Sequence, residues 1–209
     1  MKRRILCFGD SNTWGSSADG SGRFPEDIRW TGRLQTLLGD GYTIIEEGHP
    51  GRTTVWDDPV ENRLAGITYL WPCLESQAPL DLVIIMLGTN DLKPRFGVYA
   101  SDIARSAGRL VDMVQKCDLG PGNTTPKVLL VSPIHANASS VIPEMFSELE
   151  AAKSRRFAVE FQAVAQQLGC AFLDAASVAE PDPLDGIHLS PTGHAALATA
   201  LHQKVLELI

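Results

Sequence analysis

The run Leu82-Val83-Ile84-Ile85-Met86-Leu87 contains no polar residue. Successive side chains of a strand point to opposite faces, so a strand with one wet face alternates apolar and polar positions. An unbroken apolar run of strand length is covered on both faces, an arrangement that belongs to parallel sheets held between two helix layers. Ile5-Leu6-Cys7-Phe8 and Val128-Leu129-Leu130-Val131 read the same way. Candidate strands therefore fall at 4–8, 43–46, 82–87, 128–131 and 171–173.

Between the strands the apolar period lengthens to that of a helix. Trp30, Leu34, Leu37 and Leu38 form one stripe, and Ile103, Ala107, Leu110 and Val114 a second. Phe157, Phe161, Val164 and Leu168 form a third. Leu197, Leu201, Val205 and Leu208 form the last, opened by Ser190 as N-cap and Pro191 at the first helical position. Each stripe is expected to face the core. The pattern predicts an α/β chain: a three-layer, doubly wound, five-stranded parallel sheet of the flavodoxin-like kind, with strand order 2-1-3-4-5 as in other five-stranded members of that class. The chain has 209 residues and shows no repeat, low-complexity tract or linker, so 1–209 is read as a single domain.

Parallel strands place their C-terminal ends on one rim, and ligands bind there. The residues that follow each strand therefore carry the functional reading. Gly9-Asp10-Ser11-Asn12 follows the first strand. A serine on a sharp turn at a strand end is exposed and rigidly held, which suits a nucleophile; the same residues could simply cap a helix. His49-Pro50-Gly51-Arg52 follows the second strand, and Gly51 lets a backbone N–H approach a ligand oxygen, although Pro-Gly is also an ordinary turn pair. Gly88-Thr89-Asn90-Asp91 follows the third, where Asn90 could aim a neutral amide donor at a developing oxyanion or cap its own turn. Asp185-Gly186-Ile187-His188 follows the fifth. His suits a general base, and a carboxylate three residues earlier can fold back to orient the ring. His49 and His135, after strands two and four, could both line the rim. His194 and His202, on the last helix, read as surface or packing residues.

Two connections, 12–27 and 49–79, are long for a compact domain, and part of the second, near 62–77, reads as helical. Both leave strand C-terminal ends, where long connections shape binding sites or subunit contacts. The second carries Val55, Trp56, Leu64, Ile67, Tyr69, Leu70 and Trp71, an apolar surface that predicts a homo-oligomer. A net charge of −7 argues against nucleic-acid and anionic-membrane partners. No apolar run reaches membrane-spanning length, and the N-terminus lacks the pattern of a signal peptide. Cys7, Cys73, Cys117 and Cys170 are widely spaced without metal-ligand patterns, and Cys7 and Cys170 are read as buried thiols. A reduced, cytoplasmic protein without metal or organic cofactor is expected.

The order Ser, Gly, Asn, Asp-x-x-His resembles the SGNH hydrolases, also called the GDSL esterase and lipase family. Gly9-Asp10-Ser11 is similar to the family's first block, Gly51 to the glycine of the second, Gly88-Thr89-Asn90-Asp91 to the third, and Asp185-Gly186-Ile187-His188 to the last. Trp14-Gly15, Arg29-Trp30-Thr31-Gly32 and Arg52-Thr53-Thr54 further resemble the bacterial arylesterase/acyltransferase branch. Asn12 departs from the family's Leu, and His49-Pro50-Gly51 from the Leu-Ser-Ala of part of that branch. The resemblance implies a serine esterase for small, acetyl-like esters of aryl, alkyl or sugar alcohols, with acyl transfer as a further capacity. In it Ser11 is the nucleophile, His188 the base and Asp185 its orienting acid. The N–H groups of Ser11 and Gly51, with the Asn90 amide, form the oxyanion hole. Trp14, Asn12, His49 and His135 are the expected substrate contacts, and an octamer is implied by the branch. Two other readings stand beside it: a phosphoryl-transfer enzyme using Asp10 as nucleophile, and a non-catalytic ligand-binding domain.

Overall fold

The computed structural model describes residues 2–63 and 65–209. Five strands form one sheet: β1 (Arg3–Gly9), β2 (Tyr42–Gly48), β3 (Leu82–Met86), β4 (Lys127–Ser132) and β5 (Ala171–Asp174). Their order is β2-β1-β3-β4-β5, and every neighbouring pair is parallel. The unbroken apolar runs account for this. Leu6, Phe8, Val83, Ile85 and Leu130 point to one face, and Ile5, Cys7, Ile84, Leu129 and Val131 to the other.

Helices α3 (Gly66–Gln77), α4 (Ala100–Gln115) and α6 (Phe157–Leu168) cover the first face. Helices α2 (Trp30–Leu38) and α7 (Pro191–Leu208) cover the second. Ile103, Ala107, Leu110 and Val114 are fully buried along α4, as are Leu197, Leu201 and Val205 along α7. The Ser190 side chain caps α7 by accepting from the Gly193 N–H at 3.1 Å. Leu37 departs from expectation, being 47% exposed at the last turn of α2. Periodicity tells which side chains share a helix face, but not how far the neighbouring layer reaches to cover them. Cys170 is likewise only half-buried, whereas Cys7 is buried, and all four thiols are free. The helical part of the second long connection begins at Gly66 rather than near 62. Two further short helices complete the set, α1 (Ser11–Trp14) and α5 (Glu148–Ser154).

Both long connections are strapped down. Glu46 on β2 accepts from Arg29 (2.7 Å), Arg23 (2.6 Å) and Thr31 (2.6 Å), fixing the 12–29 segment and the start of α2. Asp58, fully buried, accepts from Arg95 at 3.0 Å, and Glu61 accepts from Lys93 at 2.6 Å. These pairs hold the 57–63 loop against the segment that follows β3. Much of the apolar surface expected on 49–79 belongs to the core: Leu70 is fully buried, and Val55 and Ile67 pack on the first-face cluster. Tyr69 and Trp71 remain 41% exposed. Leu64 lies outside the described residues.

Candidate functional site

Ser11 is the first residue of α1, directly after β1. Asp10 is its N-cap, accepting from the Asn12 N–H at 3.0 Å. The helix can sit this close to the sheet because β2 ends in glycine: a Cβ on Gly48 would lie 2.2 Å from the Trp14 nitrogen. Asp10 is buried and not presented to the rim. Burial lifts its carboxyl to about 6 against the N–H it accepts from Asn12.

The fifth-strand connection brings His188 to the serine. His188 Nε2 lies 2.9 Å from Ser11 Oγ, and His188 Nδ1 lies 2.5 Å from Asp185 Oδ2. The other Asp185 oxygen accepts from the N–H groups of Ile187 (2.8 Å) and His188 (3.0 Å). Burial pushes the Asp185 carboxyl up, but the bonds from His188 and Ile187 outweigh it and hold the group below the usual carboxylate range. An ionised Asp185 puts the imidazole proton on Nδ1, so Nε2 presents its lone pair to the serine hydroxyl.

Asn12, expected as a substrate contact, has a structural partner on each end of its amide. It is buried: Nδ2 donates to the Ile187 carbonyl at 3.2 Å, and Oδ1 accepts from the Leu189 N–H at 2.8 Å. It grips the backbone on either side of His188, with one amide N–H and one oxygen lone pair spent on the grip. The Trp30 indole, donating to the Asn12 carbonyl at 3.1 Å, supports it from below. His194 completes this buried layer. Its Nδ1 accepts from the Trp30 N–H at 3.2 Å, and burial pulls its pKa down to about 4.

The donors form a second group. The Arg52 N–H bonds to the His49 carbonyl at 3.1 Å, with Pro50 and Gly51 between and Gly51 at φ +80°. That is the pattern of a type II turn, which needs positive φ at its third residue and so glycine. The Ser11 and Gly51 N–H groups donate to no other group among the described residues. Asn90 Nδ2 donates to the Arg52 carbonyl at 3.1 Å, which fixes its plane and leaves one amide N–H over. Asp91 accepts from the Thr54 N–H at 2.9 Å and from its hydroxyl, tying the second- and third-strand connections together. Burial lifts the Asp91 carboxyl to about 6.

The remaining expected contacts are placed as follows. Trp14 closes α1 with its ring beneath the Arg23 guanidinium, 5.3 Å from the centroid. His49 lines a cleft beside the turn, and burial, then Arg52 and Arg63, push its pKa down. His135 is half-buried after β4. Composition and spacing gave no sign of the Asn12 grip or of Arg52, whose buried guanidinium lies 4.2 Å from the Phe8 ring centroid and donates to the Gly9 carbonyl at 2.9 Å.

Residues 7–196 match the model of the GDSL-like Lipase/Acylhydrolase family. An acetylxylan esterase of Xylanibacter ruminicola is 31% identical over 147 residues, covering 64% of this chain and 28% of that protein. The chain thus spans well under half of that relative's length. Among solved structures, Est24, a carbohydrate acetylesterase from Sinorhizobium meliloti, is 42% identical with a TM-score of 0.93, covering all of both chains. The M. smegmatis aryl esterase is 42% identical with a TM-score of 0.93, covering 99% of this chain and 100% of that one.

Proposed function

This chain belongs to the GDSL-like Lipase/Acylhydrolase family, and on that footing we propose that it is a serine carboxylic-ester hydrolase acting on small acyl esters through an acyl-enzyme. The observation that carries the reading is the hydrogen-bonded line from Ser11 Oγ through His188 to Asp185. Ser11 attacks the ester carbonyl as His188 Nε2 takes its proton. Asp185 holds the ring and stabilises the imidazolium. The tetrahedral oxyanion is received by the Ser11 and Gly51 N–H groups and the spare N–H of Asn90. His188 returns the proton to the departing alcohol. Water then attacks the acyl-enzyme, or a second alcohol does, giving transfer.

The carbohydrate acetylesterase and aryl esterase likenesses favour acetyl-sized acyl groups, and Trp14, on the same helical turn as the nucleophile, is the residue proposed to limit acyl length. His49 and His135 are proposed as further contacts to bound ester. The Asp10 phosphoryl-transfer reading is disfavoured because that carboxylate is buried against Asn12. Homo-oligomerisation is proposed through the exposed Tyr69 and Trp71 of α3, with an octamer as the form carried over from the family branch. Light scattering that returns only the 22.6 kDa monomer would remove it.

The test of function is hydrolysis of p-nitrophenyl acetate in EDTA, before and after a serine-directed organophosphonate. Hydrolysis that persists in EDTA and is abolished by the phosphonate, with the adduct on Ser11 by mass spectrometry, is the expected result. Turnover that survives the phosphonate would overturn the reading.

A further inference from the structure

The His49–Arg52 turn has a second side. Next to it opens a cleft of about 420 Å³, within the size range of small-molecule sites. Its walls include His49, Arg52, Asn62, Arg63, Tyr69 and Glu47. Two guanidinium groups thus face one cavity on a protein whose net charge is −7.

Neither guanidinium has a carboxylate within ion-pair distance among the described residues. Arg52 spends one nitrogen on the Gly9 and Glu47 carbonyls. Its plane lies against Phe8 and, at 5.4 Å, over Tyr69. The Glu47 carboxylate turns toward the Tyr69 hydroxyl (3.3 Å) and the Gln77 amide (3.4 Å). Arg63 is more exceptional. Its Nε is shut off from solvent and has no hydrogen-bond partner among the described residues. The residue as a whole is half-buried, so its two terminal guanidinium nitrogens are the groups a ligand in the cleft would meet. The nearby acids are held by other cations, although the second oxygen of Glu61 also approaches Gly51, 3.2 Å from where its Cβ would stand. Asp58 is bound by Arg95, and Glu61 by Lys93.

Arg63 is also held against the reaction centre. Its backbone N–H and carbonyl pair with Asp58 at 2.9 and 2.8 Å, on the loop that Arg95 and Lys93 fasten down. Its Cγ and Nε lie 3.1 and 3.4 Å from the point where a Cβ on Gly51 would stand. The Arg63 side chain therefore lies beside the proposed oxyanion donor Gly51. His49, whose charged form is disfavoured there, adds a neutral polar group, and the Tyr69 ring adds an apolar face.

Resting on the esterase reading above, we propose that this cleft is an anion subsite, in which Arg63, backed by Arg52, binds a carboxylate carried by the ester substrate. A guanidinium fork matches a carboxylate in two parallel hydrogen bonds, and a cleft wall shields the pair in part from solvent. The carboxylate can belong to either side of the ester bond, the alcohol part (an acetylated hydroxy acid or acidic sugar) or the acyl part (a half-ester of a diacid).

The experiment compares kcat/KM at low ionic strength for phenyl acetate, 4-acetoxybenzoate and monophenyl succinate in the wild type, Arg63→Gln and Arg63→Lys. The first substrate is neutral, the second carries its carboxylate on the alcohol, and the third carries it on the acyl group. Expected is a wild-type preference of about tenfold or more for one of the two anionic esters over phenyl acetate, expressed in KM. In Arg63→Gln that anionic-to-neutral ratio should fall by about tenfold, and Arg63→Lys should recover part of it. Raising salt to about 0.5 M should erode the wild-type ratio in the same direction, a readout that needs no variant. Equal kcat/KM for all three esters in the wild type, or a ratio unmoved by both Arg63→Gln and salt, would overturn the proposal. Binding of benzoate and succinate to Ser11→Ala, followed by calorimetry, separates the two levels of argument. Binding that Arg63→Gln abolishes supports the subsite even if no ester is cleaved. Absent binding of either carboxylate, beside intact phenyl acetate turnover, overturns the subsite and leaves the esterase reading in place.

Discussion

Replacing Asn12 by alanine should disable the base without touching it. The side chain makes two buried hydrogen bonds, to the Ile187 carbonyl and from the Leu189 N–H, and His188 is the residue between them. Truncation leaves one backbone acceptor and one backbone donor without partners in a buried place. Each such group costs about 1–3 kcal/mol, so the loss of stability is roughly 2–6 kcal/mol. For a chain of this size each kcal/mol lowers Tm by about 2–4 °C, giving a drop on the order of 5–20 °C. The loosened loop also carries the imidazole away from the 2.9 Å contact with Ser11 Oγ. Misplacement by about 1 Å can cost on the order of 100-fold in rate. The expected kinetic signature is a kcat about 10- to 100-fold lower with KM nearly unchanged, since the side chain acts through the position of His188. Asn12→Asp keeps an acceptor for Leu189 but sets a carboxylate against the Ile187 carbonyl, and should be no better than alanine. Calorimetric Tm and steady-state kinetics on p-nitrophenyl acetate check this together. An alanine variant that melts within about 2 °C of wild type, or that raises KM at constant kcat, would refute the grip and return Asn12 to the substrate.

Other outcomes follow from the same geometry. Ser11→Ala and His188→Ala should each abolish nearly all esterase activity, and the double variant should be no worse than either, because the pair acts as one unit; a strictly additive loss would contradict this. Asn90→Ala should lose about 100- to 1000-fold in kcat with little change in KM, together with the modest cost of the bond to Arg52. A kcat within about threefold of wild type would reduce Asn90 to a turn residue. His194 couples stability to acid. Its folded pKa of about 4 lies below the unfolded value of about 6.5, so between those values the unfolded chain binds the proton first and stability falls as pH falls, by about 3 kcal/mol in all. Asp10 and Asp91, lifted to about 6, act in the opposite sense as pH falls through 6 toward 4, so the His194 contribution is isolated as a difference. The gap in Tm between wild type and His194→Asn should shrink from pH 7 to pH 4.5, and a constant gap would show that His194 is not held neutral.

The sheet was legible because burial on both faces leaves a signature in every residue of a strand. Topology followed, and with it the rim that carries the turns after β1, β2 and β3 and the contact between Ser11 and His188. Helix α5 was also legible but unread: Ser147 and Glu150 form a reciprocal cap, a pattern visible in Ser147-Glu148-Leu149-Glu150. The use of Asn12 was not legible. An asparagine after a catalytic serine looks like a substrate contact until the backbone of residues 175 and 177 positions away is known to lie against it. Arg63 was hidden for a related reason. A loop rich in Asp, Glu and Arg suggests internal neutralisation, and only the pairing of Asp58 and Glu61 with Arg95 and Lys93 shows which guanidinium is left over.

The serine and its base stand 177 residues apart in the chain, joined directly and again through Asn12. On a ribosome Ser11 emerges 177 residues ahead of His188. Throughout synthesis the nascent chain carries a serine with no base, as inert as any other. The loop that must close to join them contains β2 to β5 and the helices between, so its closure entropy is met only by the assembled sheet and its helix layers. Turnover therefore works as a clock for the last event of folding. Recovery of activity after denaturant is diluted should lag behind the return of helical signal, because no partly folded form that lacks the final strand and α7 has a base to offer.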